Sequence, residues 1–169
     1  MQITLAKTSQ LSSMMDIVLD AQKYLAQLGI DQWQNGYPNE AVLLNDIHNN
    51  ESYCVFDDDG QLMGMTMFTT RPENTYNAID GNWLTADDAE YGVIHRLAVS
   101  NRHRSIGVAK FIFEQCEAKL RANNVLSMRI DTHEENKGMQ KLIAQLGYDY
   151  CGVILLENGD KRIAYEKVF

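Results

Sequence analysis

The chain has 169 residues, 45% of them apolar and 22% charged, an ordinary mixture for one folded domain spanning 1–169 with a sizeable core. Its formal net charge of −8 repels phosphate backbones, so nucleic-acid binding is disfavoured as a main activity, whereas cationic small molecules such as amines are attracted. No basic run followed by an apolar core opens the sequence, and no apolar run reaches the ~18 residues that a membrane span needs, so no signal peptide, no membrane association and a cytoplasmic location are expected.

Residues 2–7 alternate and predict a first strand. A helix follows from Ser9, with Thr8 or Ser9 as N-cap. Leu11, Met14, Val18, Ala21, Leu25 and Leu28 form its apolar stripe, and Gly29 ends it. Pro38 suits the first position of a second helix, where its missing N–H is not needed. Val42, Leu43 and Ile47 are that helix's expected buried face. Two strands, Ser52–Phe56 and Gln61–Thr70, flank an Asp57-Asp58-Asp59-Gly60 turn. The stretch 71–90 is acidic and aperiodic, and a loop of that length usually has a function or moves.

Tyr91–Ser100 reads as a strand with Val93, His95, Leu97 and Val99 on one face. A helix is expected from about Ile106 to Asn123, with Ala109, Ile112, Phe113, Cys116 and Leu120 as its apolar stripe. Val125–Thr132 is a strand, Asn136–Leu146 a helix stopped by Gly147. Tyr148–Leu156 and Arg162–Val168 close the chain as a hairpin around Asn158-Gly159. The order βααβββαβαββ mixes hairpins with a crossover. It predicts an α/β fold with a mixed, mostly antiparallel central sheet and flanking helices.

Asn101–Ala109 joins a strand to a helix. Gly107 lets the backbone approach a ligand closely, and Ala109 is small. The first N–H groups of the helix lack internal partners, and the helix dipole adds partial positive charge there. A pyrophosphate can accept those hydrogen bonds. Arg102, His103, Arg104 and Lys110 concentrate positive charge at this point of an acidic chain. A single glycine between strand and helix also fits a simple helix start, and no GxGxxG is present to suggest a nicotinamide cofactor.

Arg104-Ser105-Ile106-Gly107-Val108-Ala109 fits the Gln/Arg-x-x-Gly-x-Gly/Ala pattern and resembles the GNAT family of N-acetyltransferases. The strand run His95-Arg96-Leu97-Ala98-Val99, the helix with Ala109 and Ile112, Asn136 opening the last helix, and Leu146-Gly147-Tyr148 are also similar, in the family's order. The resemblance implies an acetyl-CoA-dependent N-acetyltransferase acting on a primary amine, either a small molecule or a peptide amine. It implies main-chain pairing of Leu97, Ala98 and Val99 with the pantetheine arm, and a pyrophosphate held by Arg104, Ser105, Ile106, Gly107, Val108 and Ala109. Asn136 matches a position that often contacts the cofactor. A Leu97 or Val99 N–H would stabilise the oxyanion of a tetrahedral intermediate. Family members are often dimers, so a homodimer is a possible assembly.

An ammonium must lose a proton before it can attack a thioester. His95 is the leading candidate base, since imidazole titrates near neutral pH and arylalkylamine N-acetyltransferases carry a His at a similar offset. A packed core histidine is the competing reading. Glu90 and Asp131 are fallback bases. Many family members carry a tyrosine acid seven residues after the Asn; that position is Ile143 here, so Tyr148 and His133 stand as substitutes. Ile143 also motivates an alternative, a catalytically degenerate acyl-CoA-binding protein. Trp33, Tyr37, Tyr76, Trp83 and Tyr91 fall in the two irregular stretches that wall the acceptor pocket in the family; loop-anchoring packing is the competing reading. No metal site is expected: the Asp57 turn lacks calcium-loop spacing, and His133-Glu134-Glu135-Asn136 lacks a second histidine. Cys54, Cys116 and Cys151 read as reduced, buried thiols.

Overall fold

In the computed structural model, which describes residues 1–169, the chain forms β1 (Gln2–Leu5), α1 (Leu11–Gln27), α2 (Glu40–His48), β2 (Ser52–Phe56), β3 (Leu62–Thr69), β4 (Ile79–Gly81) and β5 (Gly92–Val99). Then come α3 (Val108–Ala122), β6 (Ser127–Thr132), α4 (Lys137–Gln145), β7 (Asp149–Leu155) and β8 (Lys161–Val168). The eight strands form one sheet in the order β1-β2-β3-β5-β6-β8-β7-β4. β5 and β6 are parallel, while the β1–β2, β2–β3, β4–β7, β6–β8 and β7–β8 pairs are antiparallel. The mixed, mostly antiparallel sheet expected from the element order is therefore present.

Three local expectations need correction. Neither Thr8 nor Ser9 caps α1. They lie in a 3-10 turn, Thr8–Gln10, closed when Lys7 N–H donates to Gln10 Oε1 at 2.8 Å and Gln10 N–H donates to Lys7 O at 2.9 Å. This 3-10 turn precedes the helix, which starts at Leu11. Pro38 is not the first residue of α2. Asn39 is the N-cap, and its Oδ1 accepts from the Val42 N–H at 3.1 Å. An Asn side chain supplies the acceptor that an open helix end requires, and proline cannot. Finally, 71–90 is not structureless: it holds a 3-10 turn, Asn74–Tyr76, and the additional strand β4.

β4 eluded the sequence because three residues are too short to show a period. Its position depends on two glycines. β4 pairs with β7 through Ile79↔Ile154, Asp80↔Val153 and Gly81↔Gly152. Gly81 has φ 141° and Gly152 φ 150°, and a Cβ on either would overlap backbone of the other strand, Cys151 and Asp80 respectively.

The chain divides into two compact units. The first comprises residues 1–68 and 96–115. Its core joins Leu11, Met14, Ile17 and Val18 of α1 and Leu43 and Ile47 of α2 to Cys54, Met65 and Ala98 on the strands. Gly64 of β3 lets α3 lie close: a Cβ there would stand 3.0 Å from both Ala98 O and Val108 Cγ1. The second unit comprises residues 69–95 and 116–169. Its core includes Tyr76, Tyr91, Val93, Ile154 and Ala164. A buried ion pair runs through it: Arg129 Nε donates to Glu166 Oε1 at 3.1 Å, and both side chains are almost fully covered. Glu166 also accepts from the Leu84 N–H at 2.6 Å and the Thr85 hydroxyl at 2.6 Å, so one carboxylate ties residues 84–85 to the sheet. Burial opposes the ionisation of Glu166, but side-chain hydrogen bonding, from Thr85 first, and the Arg129 charge hold its pKa below the usual value.

Two stability changes follow. Gly81→Ala should lower unfolding free energy by roughly 2–4 kcal/mol, since the methyl meets backbone that cannot move aside alone. Glu166→Ala should cost about 3–5 kcal/mol by leaving Arg129 charged, buried and unpaired. Urea midpoints of the two variants beside the parent chain measure both.

Candidate active site

The loop between β5 and α3 begins with a 3-10 turn, Asn101–His103, and then takes left-handed backbone at Ser105 (φ 64°) and Gly107 (φ 89°). The helix starts at Val108, two residues later than expected, because Gly107 cannot hold a helical φ while it makes this turn. The first bond of the ladder runs from the Phe111 N–H to Gly107 O at 2.9 Å. The N–H groups of Val108, Ala109 and Lys110 therefore precede the ladder and point out of the helix end. Ser105, Ile106 and Gly107 are exposed, and a Cβ on Gly107 would meet nothing within 4 Å. Open space, outward N–H groups and a helix end together suit a phosphate group. Val108 turns inward and is buried. Arg104 is not extended into solvent: its guanidinium lies 3.9 Å above the Tyr24 ring centroid, which anchors the loop to α1.

β5 feeds this loop, and its regular alternation does not persist. Arg96 has φ 51°, a left-handed value in mid-strand. The face assignment that placed His95 with Leu97 assumed an unbroken alternation, so it does not carry across Arg96. Within the second unit, the parallel register pairs Gly92 with Met128 and Val93 with Arg129, while β6 runs on against β8 as far as Thr132↔Ile163. Beyond Arg96, Ala98 is buried beside Gly64, and the Ser100 N–H donates to Met63 O at 2.8 Å.

His95 sits between two carboxylates. Its Nε2 is 3.2 Å from Glu73 Oε2, and its Nδ1 is 3.7 Å from Asp131 Oδ2. The Tyr76 hydroxyl donates to the same Asp131 oxygen at 2.9 Å. The His95 hydrogen bond draws the Glu73 pKa down to about 2, against a smaller opposing effect of burial. An ionised Glu73 can only accept, so Nε2 carries the hydrogen. In a neutral ring the lone pair then resides on Nδ1, which faces Asp131. Burial first, then the Asp131 charge, raises the Tyr76 pKa well above its ordinary value and keeps its proton in place.

The expected aromatic residues divide between different tasks. Trp83 donates its Nε1–H to Tyr76 O at 2.9 Å, and its ring packs 5.0 Å from the Tyr76 ring. The Tyr91 hydroxyl accepts from the Glu73 N–H at 3.1 Å, and the Arg129 guanidinium lies 3.9 Å over the Tyr91 ring and 4.3 Å over Trp83. Trp83 and Tyr91 thus brace the segment that carries Glu73 and Tyr76. Trp33 packs on the α1–α2 core. Tyr37 is exposed and accepts from Arg96 Nη1 at 2.6 Å.

Other expected groups are engaged elsewhere. The Asn136 Oδ1 accepts from the Met139 N–H at 3.1 Å and caps α4. The Tyr148 hydroxyl is buried and donates to Glu117 Oε1 at 3.0 Å; burial, then the Glu117 charge, raises its pKa strongly. That arrangement retains a proton and does not suit an acid for a leaving group. Glu90 is exposed, and Ile143 is fully buried in α4. Cys54, Cys116 and Cys151 are free and buried, and burial pushes Cys54 and Cys116 up to about 12, which leaves no thiolate for nucleophilic chemistry.

Glu73 and Asp46 were not visible as site residues. Glu73 lies in the aperiodic stretch, where no pattern marks it. Asp46 left a readable signal: it occupies the apolar face of α2 with Leu43 and Ile47, at three- and four-residue spacing. Glu166 left another, as a carboxylate on the buried alternation of β8 with Arg162 and Ala164.

The chain belongs to the acetyltransferase (GNAT) family, whose model matches residues 19–148. It is therefore a member of an acetyl-CoA-dependent acetyltransferase family, and no helix is long and apolar enough to cross a membrane. A GNAT-family acetyltransferase from Streptococcus agalactiae is 34% identical and superposes with a TM-score of 0.89, covering 99% of this chain and 95% of that one. One from Listeria monocytogenes shares the fold at 19% identity and a TM-score of 0.77, over 99% and 94% of the two chains. The PaiA N-acetyltransferase from Thermoplasma acidophilum, solved in complex with coenzyme A, shares it at 15% identity and a TM-score of 0.74, over 99% and 98%. No curated protein matches the sequence significantly.

The Glu73 pKa gives a signed expectation. A carboxyl lowered from 4.5 to about 2 adds stability that is complete above pH 4.5 and is lost as pH falls through about 2. Glu73→Gln should be less stable than the parent chain by roughly 1–2 kcal/mol at pH 6, allowing for partial exposure, and the gap should close between pH 4.5 and 2. Urea titrations at pH 6, 4 and 2.5 read this directly; a gap that does not change with pH would show that Glu73 is not held ionised by His95.

Proposed function

We propose that this chain, acting as one domain, is an N-acetyltransferase that moves an acetyl group from acetyl-CoA to a primary amine by direct attack in a ternary complex. The observation that carries this reading is His95, held between Glu73 and Asp131, two residues ahead of Leu97 on the same strand. Acetyl-CoA supplies a thioester whose thiolate leaves readily, since an ordinary thiol has a pKa near ~8.5. That leaving group makes a dedicated acid dispensable, which accords with Ile143 and with the engagement of Tyr148 by Glu117.

The chain's own groups have separable duties. The N–H groups of Val108, Ala109 and Lys110 and the left-handed turn at Ser105 and Gly107 would hold the pyrophosphate. Leu97, Ala98 and Val99 would pair through their main chain with the pantetheine arm. Nδ1 of His95 would take the proton of the acceptor ammonium. Glu73 fixes the tautomer through Nε2, and Asp131 offers negative charge to the imidazolium that forms. Asn136 serves as an N-cap, so its part in binding would be to orient α4. Carboxylates around the acceptor, in a chain of net charge −8, favour a cationic amine. CoA binding without turnover would mark the degenerate alternative; the carboxylate-flanked His95 favours the enzyme.

Thiol release from acetyl-CoA across arylalkylamines, polyamines, aminoglycosides, amino acids and peptide N-termini tests the proposal. Turnover is expected with at least one class, and CoA binding by calorimetry should be lost in Gly107→Glu, which puts a carboxylate in the open phosphate space. His95→Ala should lower kcat by about 10²–10³ and remove the acidic limb of the pH–rate profile. CoA binding without turnover on any amine would overturn catalysis, and an unchanged profile in His95→Ala would remove His95 as the base.

A further inference from the structure

Arg96 is an arginine in a conformation that L-residues avoid. Its φ of 51° lies in the left-handed region, in the middle of a strand whose other non-glycine residues are not among the positive-φ positions. Asparagine, aspartate or glycine is the usual occupant of such a position, because a larger side chain crowds its own carbonyl there. A strained backbone persists only where its surroundings over-determine it.

Those surroundings belong to the first unit, together with the phosphate loop. Arg96 Nε donates to Asp46 Oδ2 at 2.7 Å, and Nη2 donates to Asp46 Oδ1 at 2.8 Å, which is a two-pronged bond with both carboxylate oxygens engaged. Asp46 is 3% exposed, in the last turn of α2 between the buried Leu43 and Ile47, so the anchor itself is held in place. The third guanidinium nitrogen donates to the Tyr37 hydroxyl at 2.6 Å. Every nitrogen of the fork is thus directed, and the side chain reaches back to α2 from the one position where β5 leaves its regular course. A left-handed residue reverses the alternation and re-aims the next peptide N–H, which is that of Leu97. Nothing in the packing of β5 alone explains an arginine here. A buried ion pair is also a poor choice for stability as such, so a geometric role accounts better for it.

We infer that Asp46 is a positioning residue for acyl transfer. By gripping Arg96 with both oxygens it holds β5 in the left-handed bend that directs the Leu97 N–H toward the thioester oxygen. The inference rests on the proposed pairing of Leu97–Val99 with acetyl-CoA. It adds that the donor's direction is set by α2 and not by the strand.

Alanine and glycine at Arg96 separate this role from simple stabilisation. Both delete the same ion pair, but only glycine takes φ 51° without strain. To avoid an orphaned buried carboxylate, both are made together with Asp46→Ala. Thiol release and calorimetric CoA binding are measured for the parent chain, Asp46→Ala/Arg96→Ala and Asp46→Ala/Arg96→Gly, with melting curves to compare folding. The glycine double variant should retain kcat within about threefold of the parent. The alanine double variant should fall by about tenfold or more in kcat, while its CoA affinity stays close to that of the glycine variant, as expected for a misdirected oxyanion donor. Asp46→Asn alone should also lose kcat, and Arg96→Gly added to it should recover the loss. Equal kcat in the alanine and glycine double variants, with an active parent, overturns the inference and leaves the proposed function intact. A parent chain that binds no CoA overturns the underlying reading instead.

Discussion

Backbone geometry at one residue, Arg96, governs how the functional half of β5 is presented. A regular strand offers its N–H groups alternately to its two neighbours, and all of them are absorbed by the sheet. A left-handed residue breaks that alternation, and the residues beyond it can face something other than a neighbouring strand. The chain maintains this break with an Arg–carboxylate fork anchored in α2, where Asp46 is almost fully buried. The same strand ends at Val99 and leads into the Ser105–Gly107 turn, which is again left-handed. Two departures from ordinary backbone within a dozen residues mark the region whose main-chain groups we propose are kept for a ligand.

The second unit shows a different use of charge. Glu73, His95, Asp131 and Tyr76 form a connected chain of hydrogen bonds and close ion contacts, with aromatic rings packed against it. The ionised Glu73 determines which ring nitrogen of His95 carries hydrogen, and the strongly raised Tyr76 pKa makes that hydroxyl a fixed donor to Asp131. In the proposed reaction this arrangement would move one proton at one nitrogen and hold the others still. Trp83 and Tyr91 support it from behind, with Arg129 over both rings. Arg129 in turn depends on Glu166, whose carboxylate also secures Leu84 and Thr85. The aperiodic stretch is therefore held by buried polar bonds together with isolated aromatic anchors such as Tyr76 and Trp83, which is why its sequence carries no period.

Much was legible without coordinates, for identifiable reasons. Helix stripes in α1 and α3 report burial on one face, and that signal is local. Gly29 and Gly147 mark helix ends because left-handed backbone there requires little else. The loop motif could be read because its glycine has a steric reason and the helix that follows has a dipole. Short elements fared worse. β4 has three residues and is defined by Gly81 meeting Gly152, a contact between positions far apart in the chain. The start of α1 lies later than expected because Thr8–Gln10 forms a separate 3-10 turn, and that of α2 because Asn39, not Pro38, supplies the side-chain acceptor.

The sequence by itself determined the family, the α/β class and the order of all but one strand, and it singled out 104–109 as the proposed phosphate loop, since each of these depends on local periodicity or on a contiguous motif. Only the tertiary structure decided what surrounds His95, what Tyr148 and Asn136 are bonded to, and why an arginine stands at position 96. Glu73, Asp46 and Asp131 come from three separate segments, and a hydrogen-bonding partner that distant leaves no trace in the spacing of residues around the group it holds.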